Sequence, residues 1–225
     1  MALIAPSLLA GDFAKLGETL GAIRNGGANL VHVDVMDGHF VPEISIGQPV
    51  IASLRKATDL TLDVHLEIER PDRYAGEFAD LGADRVAVPF EVTPRLSEIL
   101  QAIRAKGCHA GVAISPATPL ENVSEVLAEI DFLTILGAEA ALREQRFSPR
   151  MTGKVRQAAR LRQETGTTFA IQVEGGIGAE HVVELASAGA DILVVGSAIF
   201  ESGNPAVRLR EMVHLVASAR QTSMV

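Results

Sequence analysis

The stretch GGANLVHV, residues 26–33, moves from glycine through a small and a polar residue into a run rich in β-branched side chains. The same phrase returns as LGADRVAV at 81–88 and as AGADILVV at 188–195. Glycine takes the left-handed conformation that ends a helix, alanine packs, and the polar residue leads into a strand. A phrase that hands a helix over to a strand, repeated along one chain, predicts a continuous βα repeat and hence a parallel sheet.

Working outward from these copies, short β-rich runs alternate with longer segments of helical period. The expected strands are Leu3 to Leu8, Leu30 to Met36, Thr61 to Leu66, Arg85 to Pro89, His109 to Ile114, Phe132 to Leu136, Thr168 to Val173 and Ile192 to Val195. Several are almost unbroken hydrophobic stretches, as strands covered on both faces are. Between them, DFAKLGETLGAIRN (12–25), PRLSEILQAIRAKG (94–107) and PAVRLREMVHLVASAR (205–220) place apolar residues at three- and four-residue intervals, the pattern of outer helices. Eight such pairs close as a TIM (β/α)8 barrel or lie open as a doubly wound sheet. The absence of a G-x-G-x-x-G turn after the first strand argues against a dinucleotide-binding open sheet, and the count of eight favours the barrel. No Pro/Gly/Ser-rich linker interrupts the pattern, so residues 1–225 are read as a single domain.

Composition narrows the function classes. With 48% hydrophobic residues in 225, the chain can bury one large core. A net charge of -8 without a cluster of Lys or Arg offers no electrostatic footprint for nucleic acid or an anionic membrane surface. No apolar run approaches the ~20 residues that cross a bilayer. The lone Cys108 excludes an intramolecular disulfide framework, and MALIAPSLLAGDF lacks the basic n-region of an export signal, so a cytoplasmic location is expected.

In a barrel of this kind the chemistry sits at the C-terminal ends of the strands. Polar residues there are Ser7, His32, Asp34, His65, Glu174, Gly196 and Ser197. His32 and Asp34 are two residues apart, so alternation sends both to one face, and in a closed barrel the face shared with His65 is the interior. Taken singly, each histidine also fits a hydrogen-bonded core residue. Together, two imidazoles and two carboxylates at one barrel mouth suit a borderline divalent metal such as Zn, Mn, Fe or Co. His39, His109, His181 and His214 have no such company and read as surface or packing residues. VEGGIG (173–178) and VVGSAIF (194–200) each end a strand in small residues and open a helix, so backbone N–H groups at Gly175, Gly176, Gly196 and Ser197 are candidates to bind a phosphate. Two ordinary tight βα turns are the plainer alternative.

These residues carry a likeness. The blocks APSLLAGDFAKLGE, HVDVMDGHFVPEISIGQPVIASLR, DVHLEIERPDRYAGEFADLGAD, PATPLENV and AGADILVVGSAIF, spanning Ile4 to Phe200, resemble the ribulose-phosphate 3-epimerase family. The resemblance implies interconversion of D-ribulose 5-phosphate and D-xylulose 5-phosphate on a TIM barrel that uses a divalent metal. It implies metal ligands at His32, Asp34, His65 and Glu174, acid/base roles for Asp34 and Glu174 through an enediolate, substrate contacts from Ser7 and His65, and Met36 packed beside the enediolate. It also implies assembly as a homo-oligomer.

The chain departs from the family pattern around the same mouth. V-D-G-G becomes VEGG, so the carboxylate of Glu174 reaches one methylene farther; H-L-M becomes HLEI, which brings Glu67 into the site; Pro89 stands for a histidine and Ser115 for an asparagine. The loop N-P-G-F-G-G-Q-x-F becomes EAALREQRF, Glu139 to Phe147, in which Arg143 and Arg146 could meet phosphate in place of glycine backbone. Two readings therefore stand beside the default: a related sugar-phosphate epimerase or lyase with another substrate, and a non-catalytic barrel that binds a sugar phosphate.

Overall fold

The computed structural model describes residues 2–138 and 147–222. Eight parallel strands run β1 (Leu3–Pro6), β2 (Leu30–Met36), β3 (Thr61–Glu67), β4 (Arg85–Pro89), β5 (His109–Ile114), β6 (Phe132–Leu136), β7 (Ala170–Glu174) and β8 (Ile192–Val195). They pair in the order β1-β8-β7-β6-β5-β4-β3-β2, and a parallel bridge between Ser7 and His32 joins the two ends, giving a nearly closed TIM barrel. Helices α1 (Leu16–Asn25), α2 (Gln48–Ala57), α3 (Pro71–Asp80), α4 (Leu96–Arg104), α5 (Arg150–Thr165), α6 (Ala179–Ala188), α7 (Ser197–Phe200) and α8 (Pro205–Thr222) lie outside. None of the described helices is long and apolar enough to cross a membrane.

The repeated phrase does what its residues suggest. Gly27, Gly82 and Gly189 all have positive φ, at 89°, 103° and 114°. In two of the three copies an aspartate follows and ties neighbouring strands together at the N-terminal end of the barrel. Asp84 accepts the Leu62 N–H at 2.8 Å and Asp191 the Ile171 N–H at 2.9 Å, and Asp131, immediately before β6, accepts the Ala110 N–H at 2.8 Å. Arg55, Arg104 and Arg162 pair with these three carboxylates from the helices.

Alternation then divides each strand. Val31, Val33 and Val35 of β2, with Leu62, Val64 and Leu66 of β3, pack outward into the main core under the helices. The other face lines the barrel interior, whose apolar part includes Ala5, Leu30, Ile192 and Val194. On that interior face β2 and β3 carry His32, Asp34, Asp63, His65 and Glu67, all buried.

Several details differ from the expected elements: β1 stops at Pro6, Leu8 opening a short 3-10 helix that Ser7 caps by accepting the Leu9 N–H, and β3 runs one residue further, to Glu67. β7 is shifted toward Glu174, which becomes its last residue instead of the first beyond it. Between β5 and β6 the connection is a 3-10 helix, Leu120–Val126, not an α-helix. Pro119 immediately precedes it, and its buried residues Leu120 and Val123 are three apart, the repeat of that tighter helix.

Candidate metal and active site

At the C-terminal mouth a cavity of about 520 Å³ is lined by Ser7, Asp34, Met36, Glu67 and Glu174, with Gly175, Gly176, Gly196 and Ser197 on one side. Its floor is the interior face of β2, β3 and β7. There His32, Asp34, His65 and Glu174 each present one nitrogen or oxygen, and these four atoms all lie within 4.8 Å of one another. His32 Nε2 stands 2.9 Å from Asp34 Oδ1 and 3.2 Å from Glu174 Oε2. His65 Nδ1 is 3.2 Å from Glu174 Oε2 and 3.8 Å from Asp34 Oδ1.

The four groups offset part of one another's burial. Burial would depress both imidazoles, yet the carboxylates of Asp34 and Glu174 outweigh it and raise His32 and His65 well above their ordinary values. Burial would likewise raise Asp34, but His32 and His65 hold it well below the usual carboxylate range. Even so, His65 Nδ1 and Glu174 Oε2 are buried with no aligned hydrogen-bond partner. Two nitrogens and two carboxylate oxygens converging with unsatisfied atoms among them fit a divalent first-row ion.

Ser7 follows β1, where its N–H donates to the Val195 carbonyl and its hydroxyl donates to Asp34 Oδ2 at 2.7 Å. Ser7 thus orients one oxygen of Asp34 while the other faces His32. Met36 is buried beside the cavity, opposite Glu67 in the β2–β3 register. Glu67 is also buried; its Oε1 is 3.4 Å from His65 Nδ1 and its Oε2 has no hydrogen-bond partner. Burial, with repulsion from Glu174 and Asp34 outweighing the pull of His65, pushes its carboxyl up to about 8.

Residues that strand-end reasoning passes over complete the site. Asp63, two positions before His65 and therefore on the same face, accepts from His32 Nδ1 at 2.7 Å. Burial works against its charge, but His32 and Arg85 hold its carboxyl at about 2. The alternation rule applied backward from His65 is the signal that finds it. Ser45 in the β2–α2 loop donates to the Asp34 carbonyl at 2.6 Å and accepts the Met36 N–H at 2.9 Å, clipping the end of β2 in place. Asp37 accepts N–H bonds from His39, Phe40 and Glu69, joining the β2 and β3 loops. These bonds outweigh its slight burial and lower its carboxyl.

The glycines expected to cradle phosphate border the same cavity, and Glu201 lines it too. A neighbouring cavity of about 460 Å³ extends from Gly176 and Ser197 past Glu201 to Arg208. Residues 139–146, with Arg143 and Arg146, lie outside the described residues. Phe147 packs its ring 4.8 Å from that of His181, whose Nδ1 accepts the Gly178 N–H ahead of α6. Pro89 ends β4, its carbonyl taking the Thr93 hydroxyl, and Ser115 joins Glu91, Thr118 and Lys154 in a polar loop network.

A model of the ribulose-phosphate 3 epimerase family matches residues 3–200. The ribulose-phosphate 3-epimerase of Mycobacterium tuberculosis (strain H37Rv) is 41% identical over 204 residues, covering 91% of this chain and 88% of that protein. That of Bacillus subtilis (strain 168) is 40% identical over 198 residues, 88% of this chain and 91% of its own length. That of Aquifex aeolicus (strain VF5) is 36% identical over 219 residues, 97% and 99%. Among solved structures, KGPDC from Streptococcus mutans superposes with a TM-score of 0.73 at 14% identity over 97% of this chain and 99% of that one. A mutant tryptophan synthase alpha-subunit from Pyrococcus furiosus gives 0.71 at 17%, over 96% and 98%. At those identities the structural likeness speaks for the barrel alone.

Proposed function

Because the chain belongs to the ribulose-phosphate 3-epimerase family, we propose that it is a metal-dependent ketose-phosphate 3-epimerase, with D-ribulose 5-phosphate and D-xylulose 5-phosphate as its pair. One observation carries the reading: two carboxylates, on β2 and β7, meet two imidazoles within 4.8 Å at the base of an open cavity.

Inverting a carbon next to a ketone requires a base that removes its proton on one face and an acid that returns a proton on the other. Asp34 and Glu174 take those roles, and each group of this kind contributes about 10²–10⁴-fold in rate. Ser7 holds Asp34 by one oxygen, which restricts its swing toward the substrate carbon. Asp63 holds the proton of His32 on Nδ1, leaving Nε2 turned to the carboxylates. Met36 and the barrel wall give the reacting carbons an apolar side that excludes water. A divalent ion held by His32, Asp34, His65 and Glu174 would supply Lewis-acid stabilisation of the negative charge that builds on two neighbouring substrate oxygens. Backbone N–H groups at Gly175, Gly176, Gly196 and Ser197 would receive the phosphate.

Glu67 favours a second reading within the same chemistry. A buried carboxyl group with one unpartnered oxygen beside the cavity suits a substrate with a polar group placed to meet it, and a ketose phosphate other than the pentulose pair is favoured if the pentulose hydroxyls fall elsewhere. A panel of pentulose, hexulose and tetrulose phosphates separates the two. Fastest turnover of D-ribulose 5-phosphate supports the first, and a larger kcat/KM for another member supports the second. No turnover of any of them, with metal bound, leaves only a sugar-phosphate-binding barrel.

A further inference from the structure

Directly beneath the cluster, the barrel interior holds a charged group that the reaction itself does not use. Arg85, at the start of β4, has a side chain only 12% exposed, and Asp63 beside it is 1% exposed. The Arg85 Nε donates to Asp63 Oδ1 at 2.8 Å, and its Nη2 donates to Gln172 Oε1 at 3.1 Å across the barrel. The guanidinium lies 3.8 Å over the ring centroid of Phe132. That ring occupies the space left by Gly111, where an added Cβ would stand 2.3 Å from Phe132 Cζ. Four strands, β3, β4, β6 and β7, therefore converge on one guanidinium.

The other oxygen of Asp63 is the one bound to His32 Nδ1, at 2.7 Å. With Oδ1 pinned by Arg85, the Asp63 carboxylate cannot rotate away from His32, and the imidazole keeps Nε2 directed at Asp34 and Glu174. Among the described residues His65 has nothing comparable behind it, for both its ring nitrogens are buried without an aligned hydrogen-bond partner. One imidazole is braced and the other is left to adjust.

We infer that Arg85 is a positioning residue for the metal, acting through Asp63 to fix the orientation of His32, and that Gln172 and Phe132 hold the guanidinium for this purpose. The inference rests on the metal-site reading given above. A carboxylate behind a ligating histidine, and the group that fixes that carboxylate, set ligand geometry as well as affinity. A guanidinium suits the task because its planar fork serves two acceptors at once while its face packs on an aromatic ring.

The test loads the ion-free protein with Co²⁺ alone and reads its dissociation constant and the visible absorption of the bound ion, in wild type, Arg85→Met and Arg85→Lys. Thermal midpoints are recorded with and without Co²⁺. The expected result is binding weakened by about 10- to 100-fold in Arg85→Met, with an altered absorption band, and partial recovery in Arg85→Lys, whose ammonium keeps a charge for Asp63 but not the fork to Gln172. A lower midpoint in Arg85→Met with unchanged Co²⁺ affinity and spectrum would make Arg85 a packing residue and overturn the inference. Should Arg85→Met not fold, Asp63→Asn and Arg85→Lys decide: weaker binding in Asp63→Asn than in Arg85→Lys supports the relay, and wild-type binding in both overturns it. Failure of wild type to take up Co²⁺ defeats the metal-site reading itself, whereas wild-type uptake that ignores Arg85 defeats only the relay.

Discussion

Glu174 Oε2 lies 3.2 Å from His65 Nδ1, yet both atoms are buried without an aligned hydrogen-bond partner. On the proposed reading they are two ligands of a common ion. Replacing Glu174 by Gln keeps the volume and removes the charge. The expected outcome is a fall in kcat of about 10²-fold or more, with weaker metal retention, read by steady-state turnover and by metal content after gel filtration. Near-normal turnover in Glu174→Gln would remove this carboxylate from the acid/base pair.

Glu67 is a buried carboxyl group whose ionised form is opposed by burial and by Asp34 and Glu174, and whose Oε2 has no hydrogen-bond partner. Glu67→Met removes that unsatisfied polar group and fills the space with an apolar chain. The ion-free protein should gain stability, on the order of 1–3 kcal/mol, measured by urea unfolding. A loss of stability on this substitution would show that Glu67 is satisfied by partners within the protein.

Asp37 joins two loops at the mouth by accepting three backbone N–H groups. Its folded-state pKa is lowered, so the stability it adds is fully present above its ordinary, unfolded value and is lost as pH falls through the lower folded one. Because the group is largely in water, the contribution is screened to on the order of 1 kcal/mol. Asp37→Ala should therefore cost that amount at neutral pH and nothing at a pH below both values. A deficit that persists unchanged in acid would point to a cause other than the charge.

Gly111 gives room to the Phe132 ring, with 2.3 Å between an added Cβ and Phe132 Cζ. Gly111→Ala should destabilise the protein by about 1–3 kcal/mol or more, through overpacking in the barrel interior. Calorimetry checks this, and an unchanged melting temperature would show that the ring moves freely.

Most of the barrel is legible in the sequence because its signals are local. The Gly-Ala-polar phrase marks helix ends at Gly27, Gly82 and Gly189, and alternation along β2 puts His32 and Asp34 on one face before any partner is known. The reading falters where a property depends on closure. Whether Glu174 ends a strand or follows it depends on pairing with Leu136 across β6, and that register is a tertiary fact. Arg85 reads as an ordinary polar residue at a strand start, and only the closed ring brings it to Asp63, Gln172 and Phe132. Asp63 was within reach of the period-two rule, but a search restricted to strand C-termini stops short of it. The 3-10 helix at Leu120–Val126 has too few residues for helical periodicity to distinguish it from an α-turn.

On the proposed reading His32, Asp34, His65 and Glu174 hold one divalent ion, and the two carboxylates exchange a substrate proton beside it. The most direct measurement follows the C3 hydrogen of D-ribulose 5-phosphate by NMR in deuterated water, with the metal-loaded protein and its chelated form side by side. Deuterium is expected at C3 of both pentulose phosphates with the loaded protein and none after chelation. Bound metal with no deuterium entering any ketose phosphate would contradict the reading.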